Sequence, residues 1–168
     1  KNQRKEKTEI VNREAIKEIN KIKKTSEKLF LMGIMLYWAE GAKEKEYKLG
    51  QGVSFSNSDY KMIKLFIEWL KRCLKLPEDR IVFDIYIHEN NKYRLDEVKS
   101  FWSKVTGFSI DKFGKIYFKK HKIKTLRRNV NNNYNGLLRV KVTKSTYLNR
   151  RIAGWIEGIC SKWEIVQR

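Results

Sequence analysis

From Gly136 to Thr143 the chain alternates with period two. Leu138, Val140 and Val142 point one way, and Arg139, Lys141 and Thr143 point the other. A helix face repeats every 3.6 residues, so this pattern is a strand with one apolar and one cationic side. A second basic strand runs Lys115-Ile-Tyr-Phe-Lys119. Both lie in a window, Lys112 to Ile156, that holds thirteen lysines and arginines and no aspartate or glutamate. A solvated edge strand that uses lysine to block aggregation would show the same alternation. The acid gap extends over the whole window rather than one strand, which favours a platform for a polyanion.

The rest of the chain agrees. Lys plus Arg is 38 and Asp plus Glu is 19, a net charge of +19 on 168 residues. That charge opposes compaction unless an anion neutralises it. Nucleic acid is the expected partner, with strongly salt-dependent binding. A membrane surface would call for a basic amphipathic terminal helix or a lipidation motif, and neither stands out. The apolar run Leu29 to Ala39 is too short to span a bilayer and has no cleavage site after it. No membrane partner and no small-molecule substrate are expected. Cys73 and Cys160 read as small core residues, and His88 and His121 are isolated, so no zinc site is expected. A reducing, cytoplasmic and nucleoid-associated setting follows. The chain begins at Lys1 without methionine, and an upstream segment is expected.

Residues 1–26 carry nine basic and four acidic residues, with a thin stripe of Ile10, Ala15, Ile16, Ile19 and Ile22. They read as a charged connecting helix, followed by one domain over 27–168. Ser26 is the expected cap of a helix from Glu27 to about Glu40, apolar all round and so expected to be buried on every side. A short strand Gly52 to Ser56, a helix from Asn57-Ser58-Asp59 to about Leu74, a strand Arg80 to His88 and a helix from Leu95 to Gly107 follow. Lys119 to Asn135 reads as a polar loop whose Asn135-Gly136 suits a tight turn between the basic strands. Ser145 is the expected cap of the last helix. Its Ala153 and Gly154 are expected to allow close packing. The fold class is α+β, with helices on one face of a mostly antiparallel sheet whose other face is basic. Candidate nucleic-acid contacts are Lys115, Lys119, Lys120, Arg127, Arg128, Arg139, Lys141 and Lys144, with asparagines of 129–135 able to reach base edges.

Glu40 ends an otherwise apolar helix, where the helix dipole disfavours a carboxylate. It needs another reason to be there, such as a cation. Gly41 is suited to a left-handed turn into the next strand. Leu36-Tyr-Trp-Ala-Glu40-Gly41 resembles the second half of the LAGLIDADG motif of homing endonucleases. Val53 to Asp59 and Trp102 to Gly107 resemble a bacterial group of that superfamily in which an upstream helix-turn-helix is common. The resemblance covers about residues 27 to 160. It implies a sheet lying in the major groove of double-stranded DNA, and a homodimer through the motif helix, with Gly33, Leu36 and Tyr37 at the interface. It also implies Mg²⁺ held at Glu40-Gly41, with Gln51 and a lysine (Lys119 or Lys141) placing water for cleavage. Ile34 and Met35 stand where the family has small residues, which keeps open a second reading, a DNA-binding regulator that does not cut. A third is a maturase-like RNA binder, with Tyr117, Phe118 and Tyr134 stacking on bases.

Overall fold

The computed structural model describes residues 2–120 and 134–165 of the chain. Arg127, Arg128, His121 and the asparagines of 129–133 lie outside the described residues. The elements are α1 (Asn2–Asn20), α2 (Ser26–Glu40), β1 (Ser54–Asn57), α3 (Tyr60–Arg72), β2 (Ile81–His88), α4 (Leu95–Thr106), β3 (Phe113–Lys119), β4 (Leu137–Val142) and α5 (Thr146–Lys162). The four strands form one mixed sheet in the order β1-β4-β2-β3, so the fold is α+β.

Ladders β1–β4 and β4–β2 are antiparallel, and β2–β3 is parallel. A parallel pair cannot be closed by a tight turn, and α4 supplies the crossover. The two basic strands therefore do not form the expected hairpin, because β2 lies between them. Gly136 instead takes a left-handed φ of 70°. A Cβ there would overlap the Tyr86 carbonyl.

The period-2 strands bury one side completely. Ile81, Phe83, Ile85 and Ile87 of β2 face the helices, beside Leu138 and Val140 of β4, Phe55 of β1 and Phe113 of β3. They meet Ile63, Phe66, Trp69 and Leu70 of α3, Val98 and Trp102 of α4, and Ile152 and Ile156 of α5. Each such side chain contributes roughly 1.5–3 kcal/mol on burial.

Local signals were read well in places and badly in others. Asp59 caps α3 by accepting from the Lys61 amide at 2.8 Å. Gly107 ends α4 with a φ of 75°, as expected. Thr25, not Ser26, caps α2, its hydroxyl accepting from the Lys28 amide. Ser145 is the N-cap residue of α5, as expected, but its side chain makes no capping bond to the helix. Its Oγ accepts from the Val53 amide at 2.7 Å and donates to the Val142 carbonyl at 2.6 Å, joining the approach to β1 to the end of β4. Ala153 and Gly154 are exposed on α5 and pack against nothing, contrary to expectation.

Helix α2 also departs from expectation. Gly33, Ile34 and Tyr37 are buried, while Leu31, Met32, Met35 and Trp38 remain 37–49% exposed. The cause is that α3 and α5 cover only one side of it. On that side Gly33 lies against the Trp69 indole, where a Cβ would overlap the ring. The same approach buries the indole N–H without a hydrogen-bond partner. Gly33→Ala is expected to destabilise the chain by about 1–3 kcal/mol through overpacking. Urea unfolding followed by tryptophan fluorescence measures this; an unchanged midpoint would show that α2 can shift off α3 freely.

Candidate nucleic-acid interface

The helices leave the second face of the sheet open. Register defines its rows. Ser54 faces Lys141, which faces Val82; Ser56 faces Arg139, then Asp84, then Lys115. Leu137, Tyr86 and Tyr117 make the next row, and His88 faces Lys119. Four cations and one carboxylate thus share this face.

These groups differ in how committed they are. Lys141 Nζ lies 2.7 Å from Oδ2 of Asp84, and that carboxylate is buried. Arg139 donates from Nε to Ser56 Oγ at 3.2 Å, and its guanidinium sits 4.4 Å from the Tyr86 ring centre. Tyr86 and Tyr117 stack at 4.6 Å with their planes 12° apart. Burial raises the Tyr86 pKa, against the opposing pull of Arg139. Lys115 and Lys119 are exposed, with Lys119 Nζ 5.9 Å from the Tyr86 ring centre. Arg139 is therefore held flat and aimed, Lys141 is spent on Asp84, and Lys115 and Lys119 are available to an anion. Lys120 is exposed just beyond β3. Lys144 lies elsewhere, lining a cleft of about 480 Å³ with Arg80, Arg151, Phe30 and Trp155.

The Glu40 region sits at the β1 edge. Gly41 bridges Phe55 from the free side of β1, in extended backbone (φ −78°) rather than the left-handed turn expected. A side chain at Gly41 would overlap the Tyr37 ring. The segment is anchored by a buried polar hub. Asn149 Nδ2 donates to the carbonyls of Gln51 (2.9 Å) and Ala42 (3.3 Å). Its Oδ1 lies 3.0 Å from the Tyr37 hydroxyl, which also reaches the Ala42 carbonyl at 2.6 Å. Turning the amide over would set Oδ1 against two carbonyls, so this orientation is required. Nearby, Glu44 accepts two hydrogen bonds from Arg150 (2.9 and 3.0 Å) and one from the Gly50 amide. The Arg150 bonds, then the amide, hold its pKa down at about 2.

The predicted cleavage residues are only partly brought together. The hub joins Ala42 and Gln51, but the Gln51 side chain is turned to the Gly52 carbonyl at 2.9 Å. Lys119 lies on β3, at the opposite edge from β1, roughly 14 Å across at about 4.8 Å per strand. Glu40 is exposed, and among the described residues its side chain has no ion pair or hydrogen bond. Among the described residues, no three His, Cys, Asp or Glu side chains are grouped to hold a metal. Of the expected interface residues, Gly33 and Tyr37 face this chain's own core, and Leu36 is half-buried. The apolar surface open to a second copy is Leu31, Met32, Met35 and Trp38. Cys160 is buried, Cys73 is half-buried, and both are free.

No family model, curated protein or solved structure matches the chain. Among the described residues, no helix is long and apolar enough to cross a membrane.

Sequence reasoning missed Tyr86 as part of the open face, although the alternation of β2 places Asp84, Tyr86 and His88 there together. It also missed Asn149, whose signal was a lone amide on the stripe of Ile152, Ile156 and Cys160.

Burial of Tyr37 raises its pKa to about 12, with the Ser54 amide opposing weakly. The folded state thus holds this proton where the unfolded chain, with a pKa of about 10, begins to lose it. The stabilisation is complete below pH 10 and is lost as pH rises toward 12. Tyr37→Phe is expected to cost about 0.5–1.5 kcal/mol at neutral pH and to flatten the alkaline decline. Thermal melts of both proteins from pH 8 to 12 check this; parallel declines would show that Tyr37 does not titrate as described.

Proposed function

We propose that the chain binds double-stranded DNA through the open face of its sheet, on a scaffold of the homing-endonuclease-like type. The observation that carries this reading is the composition of that face: Lys115, Lys119, Arg139 and Lys141 against Asp84 alone, with α2, α3, α4 and α5 packed on the other side. The cations are spread over three strands, so they follow a backbone rather than enclose a small anion. Support for the scaffold comes from α2, which runs from an apolar stretch into Glu40, and from Gly41, which turns straight onto the edge of the sheet. The exposed stripe Leu31, Met35 and Trp38 is where a second copy would pair in such a scaffold.

Site-specific cleavage with Mg²⁺ is the further part of the proposal and rests on Glu40. It draws on a second copy, whose own Glu40 would bring a second carboxylate to the site. Without that pairing the protein is a binding regulator.

The Tyr86–Tyr117 stack favours a second reading, in which splayed bases of RNA stack on Tyr117, a residue 40% exposed.

Replacing Lys115, Lys119 and Arg139 with alanine is expected to flatten the salt dependence of duplex affinity by about 2–3 in log–log slope. Lys141→Ala is expected to destabilise the fold, by stranding Asp84, more than it changes the slope. Fluorescence anisotropy across a salt series reads both, and an unchanged slope in the triple variant would remove the sheet face from the proposal. A competition arm with structured RNA separates the two nucleic acids: preference for RNA would replace the duplex reading. Plasmid-library cleavage by wild type and Glu40→Gln, with and without Mg²⁺, tests the chemistry. Cutting that persists in Glu40→Gln would discard Glu40 as a metal ligand.

A further inference from the structure

Every residue from Gln3 to Lys24 is exposed, so α1 buries no face against the described residues. An isolated helix of this length is marginal in water, and helices in proteins draw most of their stability from packing an apolar face. The face is present. Thr8, Asn12, Ala15, Ile19 and Ile22 are spaced four, three, four and three residues apart, which is a heptad seam with Asn12 and Ile19 at a and Thr8, Ala15 and Ile22 at d. Val11 and Ile16 flank it, and Val11, Ile16, Ile19 and Ile22 are 51–66% exposed. Helix α1 ends at Asn20, and a turn bond from the Ile22 amide to the Ile19 carbonyl at 3.0 Å keeps Ile22 beside the end of the seam.

We infer that α1 pairs with α1 of a second copy of this chain as a parallel, in-register, two-stranded coiled coil. The flanking positions choose the partner and the direction. In a parallel pair, each g position meets the e position five residues on in the other helix. Within the helix that places Arg4 against Glu9 and Val11 against Ile16, an opposite-charge pair beside an apolar pair. The seam's one amide, Asn12, then meets its own copy, the arrangement by which an a-position asparagine specifies two parallel strands. The full-overlap antiparallel arrangement sets Asn12 against Ala15, Glu9 near Ile16 and Val11 near Glu18, burying apolar groups beside charges. The complementarity is thus with the chain itself. This inference uses no residue of the sheet face and stands whether or not that face binds nucleic acid.

Sedimentation equilibrium on the full chain tests the pairing. The wild type is expected to be a dimer, and Ile19→Asp/Ile22→Asp a monomer with at least ten-fold weaker association. Thermal unfolding of the domain is expected to be unchanged, because Ile19 and Ile22 are exposed and contribute nothing to its core. Direction is read by Thr8→Cys in a Cys73→Ser/Cys160→Ser background. Parallel helices bring the two introduced thiols together, and mild oxidation gives a covalent dimer. Antiparallel helices hold them roughly 16 Å apart along the axis, at about 1.5 Å rise per residue. A monomeric wild type, or a dimer that survives Ile19→Asp/Ile22→Asp, overturns the inference; the second outcome moves the interface to the exposed side of α2. Failure of Thr8→Cys to cross-link in a dimer overturns the parallel arrangement.

Discussion

Strands β2 and β4 pair down the middle of the sheet, and their shared register governs what both faces become. Phe83 lies opposite Val140 and Ile85 opposite Leu138, so the apolar halves of both strands turn to the helices together. Arg139 and Asp84 are then opposite on the other face. A slip of one residue in β4 would bury Arg139 and Lys141 and expose Leu138 and Val140. Burial of a large apolar side chain is worth roughly 1.5–3 kcal/mol, and burying an unpaired charge costs several kcal/mol. The hydrophobic core therefore chooses the register, and the cationic face is the other side of the same choice.

Asp84 shows how that face is kept from uniform repulsion. It is the one carboxylate among four cations, and it is buried because Lys141, Arg139 and Lys115 surround it. Its ion pair with Lys141 is short, and the lysine side chain is itself two-thirds covered. Such a pair adds little net stability, yet breaking it strands a buried charge. The result is a division of labour that net charge conceals: Lys141 holds the sheet face together, Arg139 is fixed on Tyr86, and Lys115 and Lys119 stay free in solvent.

What could be read from the sequence follows the range of the interactions. The alternation in β2 and β4, the stripe of α3 and the stop at Gly107 are set by neighbours within a few residues, and the structure places them where the pattern did. Strand order is set by contacts far apart in the chain. Asn135-Gly136 looked like a hairpin turn because the two basic strands are consecutive, but β2 has more apolar surface to bury and takes the place between them. The α2 helix misled for a related reason. An apolar residue is a demand for burial, and Leu31, Met35 and Trp38 have that demand unmet within one chain. The resemblance at Glu40 was legible as a motif, whereas the hub that anchors the Gly41-Ala42 segment was not. Its members, Tyr37 and Asn149, are more than a hundred residues apart.

The α1 seam and the charge of the whole chain act over different distances, and that decides how they coexist. Two chains of +19 repel one another, but at about 0.1 M salt the repulsion is screened beyond roughly 10 Å. The pair Arg4–Glu9 would act at contact, inside that distance, together with apolar packing that salt does not screen. Raising salt therefore favours pairing of the chains while it weakens any grip on a polyanion. At low salt the order reverses: repulsion between domains is strongest, and a shared polyanion is the agent best able to neutralise it. If two copies meet on one duplex, DNA and dimerisation support one another by linkage, since each binding event lowers the electrostatic cost of the other. Apparent affinity would then depend on protein concentration as well as on salt, a dependence that a single binding face on a monomer does not produce.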